Sequence, residues 1–399
     1  MQAIDMKKLI LNVLFLTASC LCAACGGSSD TPEPAPVDPT PTDENLDPQQ
    51  PAKTNAMKVY VHYMPWFVSP QSSGVWNHWT MSGNPLAVDQ SNFASHYHPL
   101  TGAYASNDEA ILDYQCLLMK YAGIEGVMVD WYGTQQKNDY PQNETNTRAL
   151  LKAVEKAQLK MAIVYEDATL DGLSDKQGQA RSDMRHLQSY YFKSDSYTKV
   201  GDKPLLMCFG PQQLTTAAGW DYAFGALNTK PQFVVLNGFS SRANAQGEFL
   251  WVNPNPDYSK ANTFDTYIAG AMPGFWDVYK QFGQGNGYTT YDREDGALFQ
   301  RQLNAAKASG LDLLQISTWN DYGEGTIVEP TKEFGYQYLK MLQQFCGVSY
   351  AQSHLELVYR WYVQRVAHPK DQRVSRAYTY LNALQPLKAE VLIEELEKI

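Results

Sequence analysis

Residues 311–330 read LDLLQISTWNDYGEGTIVEP, and the change of character inside this stretch organises the rest of the chain. The run ending at Ile316 suits a strand buried on both faces, the habit of parallel sheets. It then gives way to Trp319, Asn320, Asp321, Tyr322, Gly323, Glu324 and Gly325. Two carboxylates three residues apart, between aromatic rings and glycines that allow sharp turns, form a compact acidic pair on one loop. Such a pair can divide acid and base roles, because environment pushes neighbouring carboxyl pKa values apart. The structural alternative is a helix start, with Asp321 or Glu324 accepting backbone N–H bonds.

Upstream, strand-like and helix-like segments alternate. Strands are predicted at residues 57–67, 124–130, 161–165, 204–209, 233–236, 248–252 and 267–271, and the eighth begins at Leu311. Helices are predicted at 107–121, 147–159, 179–191, 214–227, 295–308 and 332–345, with a long loop over 68–101. Eight strands separated by helices require parallel pairing and right-handed crossovers, so the fold class is α/β, a (β/α)8 TIM barrel over residues 57–347. Residues 348–399 follow as a C-terminal helical extension with an acidic amphipathic end. Chemistry in such barrels sits at the C-terminal strand ends. Tyr63 and Trp66, then Asp130, Trp131 and Tyr132, then Glu166 and Asp167, and finally Asp321 and Glu324 are therefore expected around one mouth.

Composition narrows the partners. The 399 residues carry a net charge of −10, which argues against a nucleic-acid backbone, and aromatic residues reach 13% with 26 Tyr and 9 Trp, rings suited to the apolar faces of sugars. At the N-terminus, Lys7 and Lys8 precede an apolar run and small residues, the layout of a signal peptide over residues 1–25. Cys22-Ala-Ala-Cys25-Gly-Gly resembles a bacterial lipoprotein signal, with Cys25 as the lipidated residue; Cys20 is an alternative, as is a cleaved signal without lipid. Residues 26–56, rich in Ser, Pro, Asp and Thr, read as a flexible linker. The expectation is a membrane-anchored lipoprotein of the bacterial cell envelope, in the outer membrane or periplasm, and a monomer. Cys116, Cys208 and Cys346 are expected as buried free thiols. No metal site is expected, because His62, His78, His96 and His98 match no standard ligand spacing, and no cofactor is called for.

Carboxylates beside aromatic rings, without a phosphate loop or a Ser-His-Asp set, fit glycoside hydrolysis. Trp319-Asn-Asp-Tyr-Gly-Glu-Gly-Thr326 followed by Glu329-Pro330 resembles the W-N-E-x-x-E-G-T signature of glycoside hydrolase family 99, the endo-α-mannosidases and bacterial endo-α-1,2-mannanases. Tyr63-Met-Pro-Trp66 and Asp130-Trp-Tyr-Gly133 are similar to that family's first and second strand ends. The W-N-D-Y-G-E portion alone is closer to family 71, the α-1,3-glucanases. The family 99 resemblance implies a retaining endo-acting hydrolase of α-mannan or a related α-linked glycan. In it, Asp321 assists attack by the sugar's own 2-hydroxyl and Glu324 is the general acid/base. Tyr63, Trp66, Asp130, Trp131, Tyr132, Glu166, Trp319 and Asn320 are the expected substrate-binding residues. The family has Glu where Asp321 stands, and the missing methylene withdraws the carboxylate by roughly 1 Å. That difference leaves open the substrate, the 2-hydroxyl route, and activity itself, with an α-1,3-glucanase-like hydrolase and a non-catalytic glycan-binding lipoprotein as alternatives.

Overall fold

The computed structural model describes residues 46–81, 88–89 and 91–399. Eight parallel strands form its centre: β1 (Lys58–Tyr63), β2 (Gly126–Trp131), β3 (Lys160–Tyr165), β4 (Lys203–Cys208), β5 (Gln232–Leu236), β6 (Gly247–Phe249), β7 (Thr266–Ala271) and β8 (Leu313–Ile316). Each pairs with its neighbours in chain order, and β1 pairs with β8, so the sheet closes into a barrel. Around it run α1 (Glu109–Tyr121), α2 (Tyr140–Ala157), α3 (Lys176–Tyr190), α4 (Ala217–Phe224), α5 (Ala297–Ser309) and α6 (Gln337–Cys346). Between β5 and β7 the helices shrink to a single turn at Ser240–Ala243 and a 3-10 turn at Ala261–Thr263, so the alternation is weakest there.

Strand periodicity of two divides the apolar residues into two sets. Tyr60, Met128, Ala162, Val164, Leu205, Met207, Val234, Phe249, Ile268 and Leu313 fill the barrel interior. Val61, Tyr63, Val127, Val129, Trp131, Ile163 and Tyr165 point the other way, into the layer beneath the helices. Continuing the inward set by two residues along β1, β2 and β3 gives His62, Asp130 and Glu166. The polar floor of the mouth therefore follows directly from the pleat.

Helix α2 starts seven residues earlier than its apolar pattern predicts, because its first turns bury polar side chains that hold strand ends. Asn146 Nδ2 donates to the Pro65 carbonyl at 2.7 Å, and Asn143 Nδ2 donates to the Asp130 carbonyl at 3.3 Å. The extension consists of α7 (Gln352–Ala367), α8 (Gln372–Asn382) and α9 (Pro386–Leu396). It is pinned to α1, where the buried Lys120 ammonium donates to both the carbonyl and the side-chain oxygen of Asn382. The last part of the stretch predicted as linker lies against the barrel base: Gln49 N donates to the Asn382 carbonyl, and Asn55 N to that of Cys346. These backbone bonds hold it although its composition is polar. Cys116, Cys208 and Cys346 are free and buried. The signal segment and Cys25 lie outside the described residues.

Candidate active site

After β8 the chain turns tightly, and Thr318 and Asp321 tie the turn to itself. Thr318 Oγ1 accepts from Asp321 N at 2.7 Å, while Thr318 N donates to the Thr326 carbonyl at 2.7 Å, closing the loop at its neck. Asp321 Oδ1 accepts from Glu324 N at 3.0 Å. That is the capping bond expected of a helix start, but it uses only one oxygen, Oδ1, of the carboxylate. Gly325 takes φ +65°, and a Cβ there would come within 2.8 Å of the Trp276 carbonyl oxygen, so the loop after β7 can press directly on this turn. Trp276 N donates to the Glu324 carbonyl and Val278 N to that of Gly323, at 2.9 and 3.0 Å.

Four acids from three strand ends meet here. Burial pushes Asp321 up to about 6, against the Glu324 and Gly323 N–H groups and the charge of His78, which pull it down. Burial and the negative charge of Asp321 lift Glu324 well above the carboxylate range, while the Tyr279 hydroxyl, donating to Oε1 at 3.2 Å, works the other way. Asp130 is raised by burial and by Asp321, and Glu166 by burial and by Asp130. Asp130 is only 4% exposed, and its Oδ1 has no hydrogen-bond partner. Asp130 links the set, raised by Asp321 and itself raising both Glu324 and Glu166, so full ionisation of this desolvated group is opposed.

Rings wall this pocket. Trp66 stacks on His78 with centroids 5.0 Å apart, and Tyr132 lies 6.3 Å from Trp66. His78 Nε2 lies 2.6 Å from Asp139 Oδ2, an ion pair that holds Asp139 low despite its burial. Deeper in the barrel, burial pulls His62 down to about 4, so its imidazole, 3.3 Å from Gln315 Oε1 and edge-on to Trp251, stays neutral.

The predicted residues therefore divide. Asp321, Glu324, Asp130, Glu166, Trp66 and Tyr132 come together at the mouth. Tyr63, Trp131, Trp319 and Asn320 do not reach it, and their expected substrate contacts are corrected here. Tyr63 points outward on β1 and donates to Gln115 Oε1 at 2.7 Å. Trp131, one residue past the inward Asp130, points to the opposite face, where its indole N–H donates to Glu144. Trp319 is fully buried in the layer beneath the helices. Asn320 spends its amide on the end of β1, accepting from Met64 N at 2.8 Å and donating to the Met64 carbonyl at 3.0 Å.

Glu329, in the same motif, is a buried hub. Its carboxylate accepts from Gln115 Nε2 and from the hydroxyls of Tyr104 and Tyr322, and burial still pushes it up to about 7. Tyr279 was invisible to sequence reasoning, since it sits eight residues past β7 in a stretch without periodicity. Among the described residues no group of three His, Cys, Asp or Glu is placed to hold a metal ion. A cavity of about 970 Å³ lies outside the barrel along α2, but its acids Glu144 and Asp113 face Arg148, His186 and Lys156.

Residues 54–351 match the profile of Glycosyl hydrolase family 99. A glycoprotein endo-alpha-1,2-mannosidase-like protein of Danio rerio is 22% identical over 70% of this chain and 73% of its own length. The glycoprotein endo-alpha-1,2-mannosidase of Rattus norvegicus is 22% identical over 68% of this chain and 67% of its own. A solved family 99 endo-alpha-mannosidase from Bacteroides thetaiotaomicron superposes with a TM-score of 0.59 at 21% identity, covering 72% of this chain and 96% of that one. With three quarters of its length inside one family's pattern, and that family's fold around a carboxylate-lined mouth, the chain is a glycoside hydrolase and belongs to glycosyl hydrolase family 99.

Proposed function

We propose that this protein is a retaining, endo-acting hydrolase of α-mannan or a related α-linked glycan, with Asp321 and Glu324 as its catalytic pair. The observation that carries the reading is the unequal environment of the two acids on one loop. Glu324, lifted well above the carboxylate range by burial and the charge of Asp321, is the stronger proton holder of the two and is suited to deliver its proton to the departing glycosidic oxygen. Asp321, at about 6, is ionised at neutral pH and can take a proton. In the route the family resemblance implies, Asp321 removes the proton of the sugar's 2-hydroxyl as that oxygen bonds to the anomeric carbon. Glu324 protonates the leaving group, and then, as a carboxylate, draws a proton from the water that opens the 1,2-anhydro ring, while Asp321 returns its proton to the 2-oxygen. The Asp321 oxygen not engaged by Glu324 N is the one available for this role. Asp130 and Glu166, whose pKa values burial also raises, can hydrogen-bond sugar oxygens, while Trp66 and Tyr132 offer ring faces.

The sequence layout around Cys25 supports a lipid-anchored protein of a bacterial cell envelope as the setting for this activity. Incubating the protein with α-mannan and with α-1,3-glucan and measuring new reducing ends tests the reading. Products from α-mannan with retained anomeric configuration are expected. Products from the glucan alone favour the α-1,3-glucanase alternative, and binding without product from either glycan leaves a non-catalytic binder.

A further inference from the structure

The loop after β7 carries more structure than is needed to hold Tyr279. Phe275 and Tyr291 exchange backbone hydrogen bonds at 2.9 and 2.8 Å, closing the loop at its base. Within it, the Asp277 carboxylate binds the backbone of two aromatic residues at once: Oδ1 accepts from Tyr279 N at 3.0 Å and Oδ2 from Tyr288 N at 2.7 Å. Gly287, at φ +73°, passes so close to this carboxylate that a Cβ would sit 2.9 Å from Oδ1. The result is a fixed pair of rings, Tyr279 and Tyr288, with centroids 5.9 Å apart and nearly perpendicular. Tyr279 is largely buried and bonds Glu324, whereas Tyr288 is 72% exposed. The Tyr288 backbone is anchored by Asp277 while its ring meets only the edges of Phe275 and Tyr279, at 6.2 and 5.9 Å, an arrangement that removes little apolar surface from solvent.

Beside the pair lies a cavity of about 580 Å³, lined by Met81, Tyr279, Gln284, Asn286 and Tyr288. That volume is within the range of roughly 300–1,000 Å³ that small-ligand sites occupy. Its lining combines ring faces with side-chain amides, the combination that meets a pyranose, whose C–H faces are apolar and whose rim is hydroxyl. Position fixes which sugar. Of the two acids on the motif loop, Glu324 is the one that the Tyr279 hydroxyl bonds, at 3.2 Å, on the β7 side of the mouth. A general acid touches the oxygen that leaves, so the path from Glu324 past Tyr279 follows the leaving group.

We propose that Tyr288, with Tyr279, Gln284 and Asn286, forms a binding site for a sugar residue of the α-glycan on the leaving-group side of the cleavage point. This rests on the reading of Glu324 as the acid. The test uses the full chain and two substrates: α-mannan, and an α-mannosyl fluoride, which has no sugar on that side. In Tyr288→Ala the ratio of kcat/KM for the glycan to that for the fluoride falls about five- to tenfold, and in Tyr288→Phe, which keeps the ring, it stays. An unchanged ratio in Tyr288→Ala, or equal losses on both substrates, overturns the site. If the wild type does not turn over the fluoride, the site is judged by calorimetry with α-manno-oligosaccharides, and if it turns over neither substrate the catalytic reading fails and the same calorimetry judges the site separately. A five- to tenfold weaker affinity in Tyr288→Ala then upholds it, and equal affinity overturns it.

Discussion

At the scale of single residues, the site works by making two similar carboxyls unlike. Glu324 is desolvated beside the charge of Asp321, so its proton is held tightly, and replacing it with the isosteric Gln removes the proton without removing the shape. Glu324→Gln is expected to lose roughly 10²- to 10⁴-fold in kcat on α-mannan with little change in glycan affinity, measured by reducing-end release and by calorimetry; an undiminished rate would take Glu324 out of the acid/base role. Tyr279 gives a second handle. Its hydroxyl stabilises the ionised form of Glu324, so Tyr279→Phe raises the pKa of Glu324 further. Because the acid must be protonated, the alkaline limb of the kcat/KM profile then moves to higher pH. A limb that stays in place or moves down would mean that another group sets it.

At the scale of elements, the motif loop is held by its neighbours, and its glycine is where they touch. In Gly325→Ala the new methyl collides with the Trp276 carbonyl and approaches the Tyr97 ring to 3.2 Å, at a φ that alanine resists. The β7 loop must back away, carrying Tyr279 from Glu324, and a shift near 1 Å is expected to cost on the order of 10²-fold in kcat/KM while the fold survives. Circular dichroism alongside the rate assay checks both parts; full activity would show that the clamp is not needed. The same elements explain what could be read from sequence. Strand positions were legible because buried parallel strands are apolar runs, and Asp130, Glu166, Asp321 and Glu324 were legible because they are carboxylates at strand ends. The facing of the aromatic residues was also encoded: the pleat that turns Asp130 inward turns Trp131 outward, and the inward Tyr60 and His62 leave Tyr63 outside. Reading strand ends as clusters rather than as alternating faces is what misplaced them. Tyr279, Tyr288 and the polar first turns of α2 had no such signal, since they are set by contacts between elements distant in sequence.

At the scale of the whole molecule, the barrel buries acids whose pKa values it raises, and this dictates how its stability changes with pH. Glu329 lies near 7 in the fold against about 4.5 when exposed, so between these values the folded chain binds a proton that the unfolded chain has released. Its contribution is complete below pH 4.5 and is lost as pH rises through 7, on the order of 3 kcal/mol in all. Asp321, Asp130, Glu166 and Glu324 act in the same direction. His62 opposes them, since its folded value near 4 adds stability as pH rises toward 6.5, but above that it is neutral in both states and has no further effect. From pH 6.5 to 8 the raised acids therefore dominate, and resistance to urea is expected to fall across that interval. Glu329→Gln, which carries no titrating proton at the hub of Gln115, Tyr104 and Tyr322, should flatten this decline whatever its effect on absolute stability. A wild type whose urea midpoint rises from pH 6.5 to 8, or a variant with the same slope, would mean that the hub is already ionised in the fold and that its three donors outweigh its burial.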